Sequence, residues 1–142
     1  NFEIDHAYKI LEGNLNDESF RPEIEVSQFV EGMVVPEMSF TAVTENLVLA
    51  AGGVYPIWDG VGEAWFISGE NLKDNSIAIV RQVKKHLNSI MKQHNFHRIQ
   101  AVTEERFINS KRWMGFLGME QEGLMKKYCP YGRNFVRWAK VI

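Results

Sequence analysis

A strand, a long helix and a second strand follow one another between residues 63 and 103, and this order constrains the fold more than any other feature. Residues 63–68 and 98–103 are short runs typical of strands. Between them, apolar residues recur at spacings of three and four on one helical face: Val80, Val83, Leu87, Ile90, Met91 and His94. Strands joined through one helix pair in parallel by a right-handed crossover. The sequence therefore predicts a central parallel pair.

Further strands are expected on both sides of this unit. Apolar or alternating runs predict them at residues 40–44, 47–55, 124–128 and 135–141. Asp59 and Gly60 supply a tight turn before residue 63, which indicates antiparallel neighbours. A second helix is predicted over residues 105–117, ended by Gly118, and short helical pieces are expected at residues 7–11 and from Pro22. The expected fold is α/β, with a mixed, mostly antiparallel sheet and helices on both faces.

Length and composition favour one ordinary globular domain over residues 1–142. Two domains would each approach the lower limit for a self-sufficient core, and 45% apolar with 24% charged residues is not the composition of a disordered chain. No apolar run approaches the roughly 20 residues that span a bilayer, and no leader-like segment opens the sequence. We expect a cytoplasmic protein without a membrane partner. With Cys129 as the single cysteine, an internal disulfide is excluded and no metal site is expected.

The two halves of the sequence carry opposite charge. Residues 1–72 contain 13 acids and 2 bases, whereas residues 73–142 contain 14 bases and 5 acids. The charges of one fold can simply intermix in space, or the bases can form a face for a phosphate-bearing partner. No nucleic-acid motif accompanies the bases, so nucleic acid is not the expected partner. Any anion site is expected in the second half.

The order of elements and several motifs resemble the GNAT acetyltransferase superfamily. The segment Asn109-Ser110-Lys111-Arg112-Trp113-Met114-Gly115-Phe116-Leu117-Gly118-Met119 is similar to its Asn/Ser-rich helix ending in Leu-Gly-Phe. The match continues through Glu122-Gly123 and the hairpin Tyr128-Cys129-Pro130-Tyr131-Gly132. The resemblance implies an acyl-CoA at a splay between the central parallel strands. Its pyrophosphate would lie at the start of the following helix, where unpaired N–H groups favour anions.

A narrower resemblance, over residues 40–142, points to GNAT-like proteins of tailed phages, which include internal virion proteins and acetyltransferase-like proteins. The motifs are Gly52-Gly53-Val54-Tyr55-Pro56, Gly62-Glu63-Ala64-Trp65-Phe66-Ile67, and Arg112-Trp113 before Leu117-Gly118-Met119. This resemblance implies a phage-encoded protein of the host cytoplasm or of the virion.

The resemblance further implies an acetyl-CoA-dependent N-acyltransferase, whose partners are an acyl-CoA and an amine acceptor. Glu63 matches the position of the general base, and Tyr128 or Tyr131 can act as the acid from the hairpin. The implied cofactor-binding residues are Phe66, Ile67, Ser68, Lys73, Asn75, Ser76, Asn109 and Arg112. The long helix is expected to begin close to Ser76, with an anion beside residues 75–77. The structural alternatives are a surface acid at Glu63 and an aromatic packed under a turn at Tyr128.

Two departures from the superfamily pattern favour a different class of function. Active members usually carry a Gln/Arg-x-x-Gly-x-Gly/Ala loop, whereas Gly69 is the one glycine in residues 68–77. Side chains at the other positions restrict the backbone conformations that wrap around a phosphate. The tyrosine that often serves as acid stands four residues before the helix-ending glycine, where this chain has Met114. The alternative is a catalytically inactive GNAT-fold protein with a structural, assembly or host-interaction role and a protein partner.

Overall fold

The computed structural model describes residues 2, 3, 5, 6, 9, 10, 31–45, 47–69, 72 and 76–142. The strands within these ranges are β1 (Ser39–Thr44), β2 (Leu47–Trp58), β3 (Val61–Ser68), β4 (Arg98–Glu104), β5 (Glu120–Met125) and β6 (Phe135–Val141). A 3-10 turn at Pro36–Met38 precedes β1, and the helices are α1 (Ser76–Gln93) and α2 (Ile108–Leu117). The described strands form a six-stranded sheet in the order β1-β2-β3-β4-β6-β5.

The predicted mixed sheet with a parallel pair is confirmed. Strand β1 pairs antiparallel with β2, and β6 pairs antiparallel with both β4 and β5. Strands β3 and β4 are parallel, as the intervening helix requires. Their ladder joins Val61–Glu63 to Arg98–Gln100, although both strands continue beyond it.

Element boundaries agree with the sequence in the centre of the chain and differ near its end. Helix α1 begins at Ser76, as predicted, and Gly118 ends α2 with φ of 82°. Helix α2 begins at Ile108 rather than residue 105, because residues 105 and 106 form a turn that the Phe107 N–H closes on the Glu104 carbonyl. Strand β5 covers Glu120–Met125 rather than residues 124–128. Residues 126 and 127 turn, with Lys127 at φ of 50°.

The N-terminal helical prediction is met only where residues are described. Asp5, His6, Lys9 and Ile10 are helical, as are residues 31–33. The second predicted piece, from Pro22 through residue 29, lies outside the described residues.

The chain divides into two compact units, and the first comprises residues 1–55 and 65–79. Its apolar core contains Ile10, Ala51, Trp65 and Ile67, all less than a tenth exposed. Phe2 meets the Trp65 ring edge to face, with ring centroids 5.8 Å apart.

The second unit comprises residues 56–64 and 80–142. The predicted stripe of α1 is buried at Val80, Val83, Leu87, Ile90 and Met91, whereas His94, predicted on the same face, is half-buried beyond the end of the helix at Gln93. The Lys140 ammonium donates to Asn88 Oδ1 on α1 and to the Leu117 carbonyl on α2, and burial followed by the charge of Lys84 lowers the pKa of Lys140. Both helices therefore lie on the sheet face to which Lys140 points.

The other face of this unit's sheet carries several polar side chains. Because side chains alternate along a strand, Arg98 and Gln100 point away from Ile99, the residue that pairs with Lys140. No helix among the described residues is long and apolar enough to cross a membrane.

Candidate active site

Four polar side chains from three strands meet on this second face. Arg98 and Gln100 alternate along β4, Glu63 pairs with Gln100 across the parallel ladder, and Arg137 lies on β6 opposite Val102. The pairing of β4 with β6 thus brings a guanidinium to a carboxylate that is 74 residues away in sequence.

Glu63 is the centre of this group. Its Oε2 accepts a hydrogen bond from Gln100 Nε2 at 2.8 Å and one from Arg137 Nη1 at 3.2 Å. The Glu63 side chain is 12% exposed. Glu63 is therefore an anchored, mostly buried carboxylate rather than a solvated acid at a strand end.

Arg98 fixes the orientation of the Gln100 amide. Its Nε and Nη2 both donate to Gln100 Oε1, at 3.1 and 3.0 Å. With the oxygen so engaged, the Gln100 amide nitrogen is the group that donates to Glu63. Arg98 is held in turn by both carboxylate oxygens of Glu122, a bidentate pair whose hydrogen bonds raise the pKa of Arg98 and lower the pKa of Glu122.

The polar group lies where the two parallel strands stop pairing. Glu63 and Gln100 form the last pair of the ladder, while β3 continues to Ser68 and β4 to Glu104. Backbone groups beyond such a point are released from that ladder and can bind a ligand. The candidate base thus lies at the fork of the parallel strands.

Tyr128 lies further along the sheet, in the hairpin between β5 and β6. Its backbone N–H donates to the Arg133 carbonyl, and its half-exposed ring packs 5.3 Å from the Phe135 ring. Phe135 pairs with Glu104, four residues past Gln100, which is about 13 Å along β4 at roughly 3.3 Å per residue. Tyr128 therefore packs on Phe135, as the structural alternative expects of an aromatic near a turn. Within the described part of the chain, no contact joins Tyr128 to Glu63.

The predicted cofactor residues of β3 and α1 lie in the first unit. Ile67 buries its side chain in the core, so a ligand could meet it only through its backbone, while Phe66 and Ser68 are half-buried. Ser76 is the first residue of α1, and no acidic residue occupies the first turn of this helix. That helix start therefore suits an anion such as the CoA pyrophosphate.

The other four cofactor residues stay predictions. Lys73 and Asn75 lie outside the described residues. Asn109 and Arg112 are exposed on α2 in the second unit, and their approach to a cofactor stays a prediction. Among the described residues, no group of three His, Cys, Asp or Glu side chains is placed to hold a metal ion.

Sequence reasoning missed Gln100, Arg98, Arg137 and Glu122. A signal for Gln100 and Arg98 was present, because they alternate with Ile99 and Ala101 along β4, whereas Arg137 stands among apolar residues on its face of β6. Their convergence on Glu63 depends on β6 lying next to β4, which spacing within the sequence does not reveal.

No protein-family model and no curated protein matches this sequence. Solved structures do match. An acetyltransferase of the GNAT family from Bacillus anthracis has a TM-score of 0.76 at 20% identity, covering 99% of this chain and 91% of that one.

Two further matches have TM-scores of 0.74 at 12% identity. The F149A mutant of spermidine N-acetyltransferase SpeG from Vibrio cholerae covers 99% of this chain and 92% of its own. The ribosomal-protein-S18-alanine N-acetyltransferase from Escherichia coli covers 98% and 87%. At these identities the likeness is one of fold: the chain has the fold of GNAT acetyltransferases.

Proposed function

We propose that a chain with this fold transfers an acyl group from acetyl-CoA to an amine. The observation that carries the proposal is the anchored carboxylate of Glu63 at the last pair of the parallel ladder. The similar structures named above include enzymes that acetylate spermidine and a ribosomal-protein alanine, both of which are amines. A mostly buried carboxylate at the strand fork can accept the proton that such an amine gives up.

The donor's place is proposed in the first unit. Acetyl-CoA, when bound, supplies an acyl group activated as a thioester. The backbone of Phe66, Ile67 and Ser68 would hold its pantetheine arm. The first-turn N–H groups beginning at Ser76 would hold its pyrophosphate, together with Lys73 and Asn75. Asn109 and Arg112 would flank it from α2.

The acceptor's amine is proposed to meet Glu63. Gln100 and Arg137 hold Oε2 of Glu63, so the carboxylate keeps one orientation and accepts the proton that the amine loses as its nitrogen attacks. Holding the amine in line with the acyl carbon increases the rate of transfer through orientation alone. Tyr128 Oη is the proposed proton source for the sulfur that departs, since Met114 carries no transferable proton.

Isothermal titration with acetyl-CoA separates this proposal from the non-catalytic alternative. The proposal predicts saturable binding, while a structural, assembly or host-interaction protein that merely retained the fold predicts none at high micromolar concentration. Absence of binding would overturn the transferase. Phage origin, location in the host cytoplasm or virion, and use of a protein partner stay predictions.

A further inference from the structure

Arg98 and Arg137 differ in how many of their guanidinium nitrogens donate to oxygen acceptors. Arg98 engages Nε and both terminal nitrogens with the carboxylate of Glu122 and the amide oxygen of Gln100. Arg137 makes one ion pair, from Nη1 to Glu63 at 3.2 Å, while Nη2 lies 3.7 Å from the sulfur of Met125. One guanidinium is saturated by oxygen acceptors and the other is not.

Spare donor capacity at Arg137 is a chemical property of the site. A guanidinium has five N–H donors, and a thioether sulfur is a weak acceptor. Within the described part of the chain, Glu63 is the one oxygen ligand of Arg137, and the Arg137 side chain is 25% exposed. A mostly buried cation with unused N–H groups favours a further oxygen acceptor, and a carboxylate binds a guanidinium most strongly when it is bidentate.

The adjacent charges of Glu63 and Arg137 complement a molecule that carries both an amine and a carboxylate. In an α-amino acid these two groups are attached to the same carbon atom, so protein groups in direct contact can hold both. Building on the acyltransferase proposed above, we propose that the acceptor is a free α-amino acid. Its amino group meets Glu63 and its carboxylate binds Arg137.

The charge balance of the hydrogen-bonded group around Glu63 distinguishes the proposal from a polyamine acceptor. The four charged side chains of this group, Glu63, Arg98, Glu122 and Arg137, comprise two acids and two bases. A polycation requires an excess of negative charge along its length. A zwitterion requires one charge of each sign at short separation, which Glu63 and Arg137 provide.

The test compares each of the twenty L-amino acids with its amide, which keeps the amine but loses the carboxylate. Transfer is followed by the release of free CoA. For at least one amino acid, kcat/KM should exceed that of its amide by on the order of tenfold to a hundredfold, since a charge-assisted hydrogen bond is at stake. Arg137→Met should bring the ratio of acid to amide close to one, and this ratio is read independently of the change in absolute rate that the loss of a Glu63 contact causes. Arg98→Met, on the same face, should leave the ratio of acid to amide unchanged.

A binding measurement keeps this inference separate from the transferase itself. Pooled amino acids, and separately their amides, are titrated while the side-chain Nε–H resonance of Arg137 is followed by NMR, with the signal assigned by its loss in Arg137→Met. A shift with the acids alone supports the carboxylate site even if no acetyl transfer occurs. Equal shifts from both pools, no shift, or faster acetylation of amides or spermidine than of any amino acid would overturn the inference; the last outcome would leave the proposed transferase intact.

Discussion

At the scale of single residues, Glu63 is held by side chains from two other strands. It receives two donors on one oxygen, whereas Glu120, on the edge strand β5, is exposed. The identity of Glu63 as a candidate base could be proposed from sequence position. Its anchoring could not, because the donors come from β4 and β6, which are distant in sequence.

Glu63→Gln should lower kcat for acetyl transfer by about 10²- to 10⁴-fold, the usual contribution of a general base. The KM for acetyl-CoA should change little, because the carboxylate acts on the acceptor. Steady-state release of free CoA measures both constants, and thermal melting checks that the variant folds. Glu120→Gln is the control and should retain full activity. An equal loss in the two variants would remove the proposed role of Glu63.

Glu122→Gln should lower the free energy of unfolding only at pH values at which the Glu122 carboxylate is ionised. The pKa of Glu122 is lowered by its bond to Arg98, so the pair stabilises the fold above the ordinary carboxyl pKa of 4.5 and loses that effect as pH falls through the lower folded value. For a pair this exposed, we expect a loss of about 0.5–1 kcal/mol at pH 7. Urea unfolding at several pH values measures it. If the difference in unfolding free energy between the variant and the original protein persists at acidic pH, the ion pair is not the source of that difference.

At the scale of elements, the sequence pattern predicted the features that depend on residues close together in the chain, such as a helix face and a helix end. The apolar stripe of α1 and the glycine end of α2 were predicted correctly because caps and spacing act within a few residues. Strand β5 was displaced in the prediction because it lies at the sheet edge, where Glu120 and Glu122 are exposed and no apolar pattern is needed. The apolar residues Leu124 and Tyr128 led us to predict the strand at residues 124–128, which include the turn that follows β5.

The pairing of β1 with β2 depends on a close approach at Gly53. A methyl group there would lie 2.7 Å from Ser39 Oγ, 2.8 Å from the Met38 carbonyl oxygen and 2.9 Å from Trp65 Nε1. Gly53→Ala should therefore lower the free energy of unfolding by about 1–3 kcal/mol, measured by urea denaturation. Gly69→Ala is the matched control, since its methyl group would meet carbonyl oxygens at an ordinary 3.6 Å. Similar stabilities for the two variants would contradict the close approach.

The start of α1 carries the proposed pyrophosphate site. Lys73 precedes this helix in the sequence, and Lys73→Glu should weaken CoA binding by about 1 kcal/mol or more, because it reverses a charge near a multiply charged ligand. Isothermal titration measures the change. Lys92→Glu, which has the same charge reversal in the last turn of α1, should have a smaller effect. Unchanged binding in Lys73→Glu would show that the phosphate lies elsewhere.

At the scale of the whole molecule, the sequence predicted the class of sheet but not the convergence of its side chains. A strand, a helix and a strand in succession require the parallel pair that β3 and β4 form. Which strand lies beyond β4 is a non-local choice, and it is β6 rather than β5 that pairs there. That choice brings Arg137 to Glu63, so the site could be predicted only in part.

The most direct test of the central claim is whether the protein moves an acetyl group to an amine. The protein is incubated with acetyl-CoA labelled with ¹³C in the acetyl group and with a mixture of amino acids, their amides and polyamines, and the products are identified by mass spectrometry. A labelled N-acetyl product should form in the same amount as free CoA, in proportion to the enzyme added. Intact acetyl-CoA and no labelled amine, from folded protein, would contradict it.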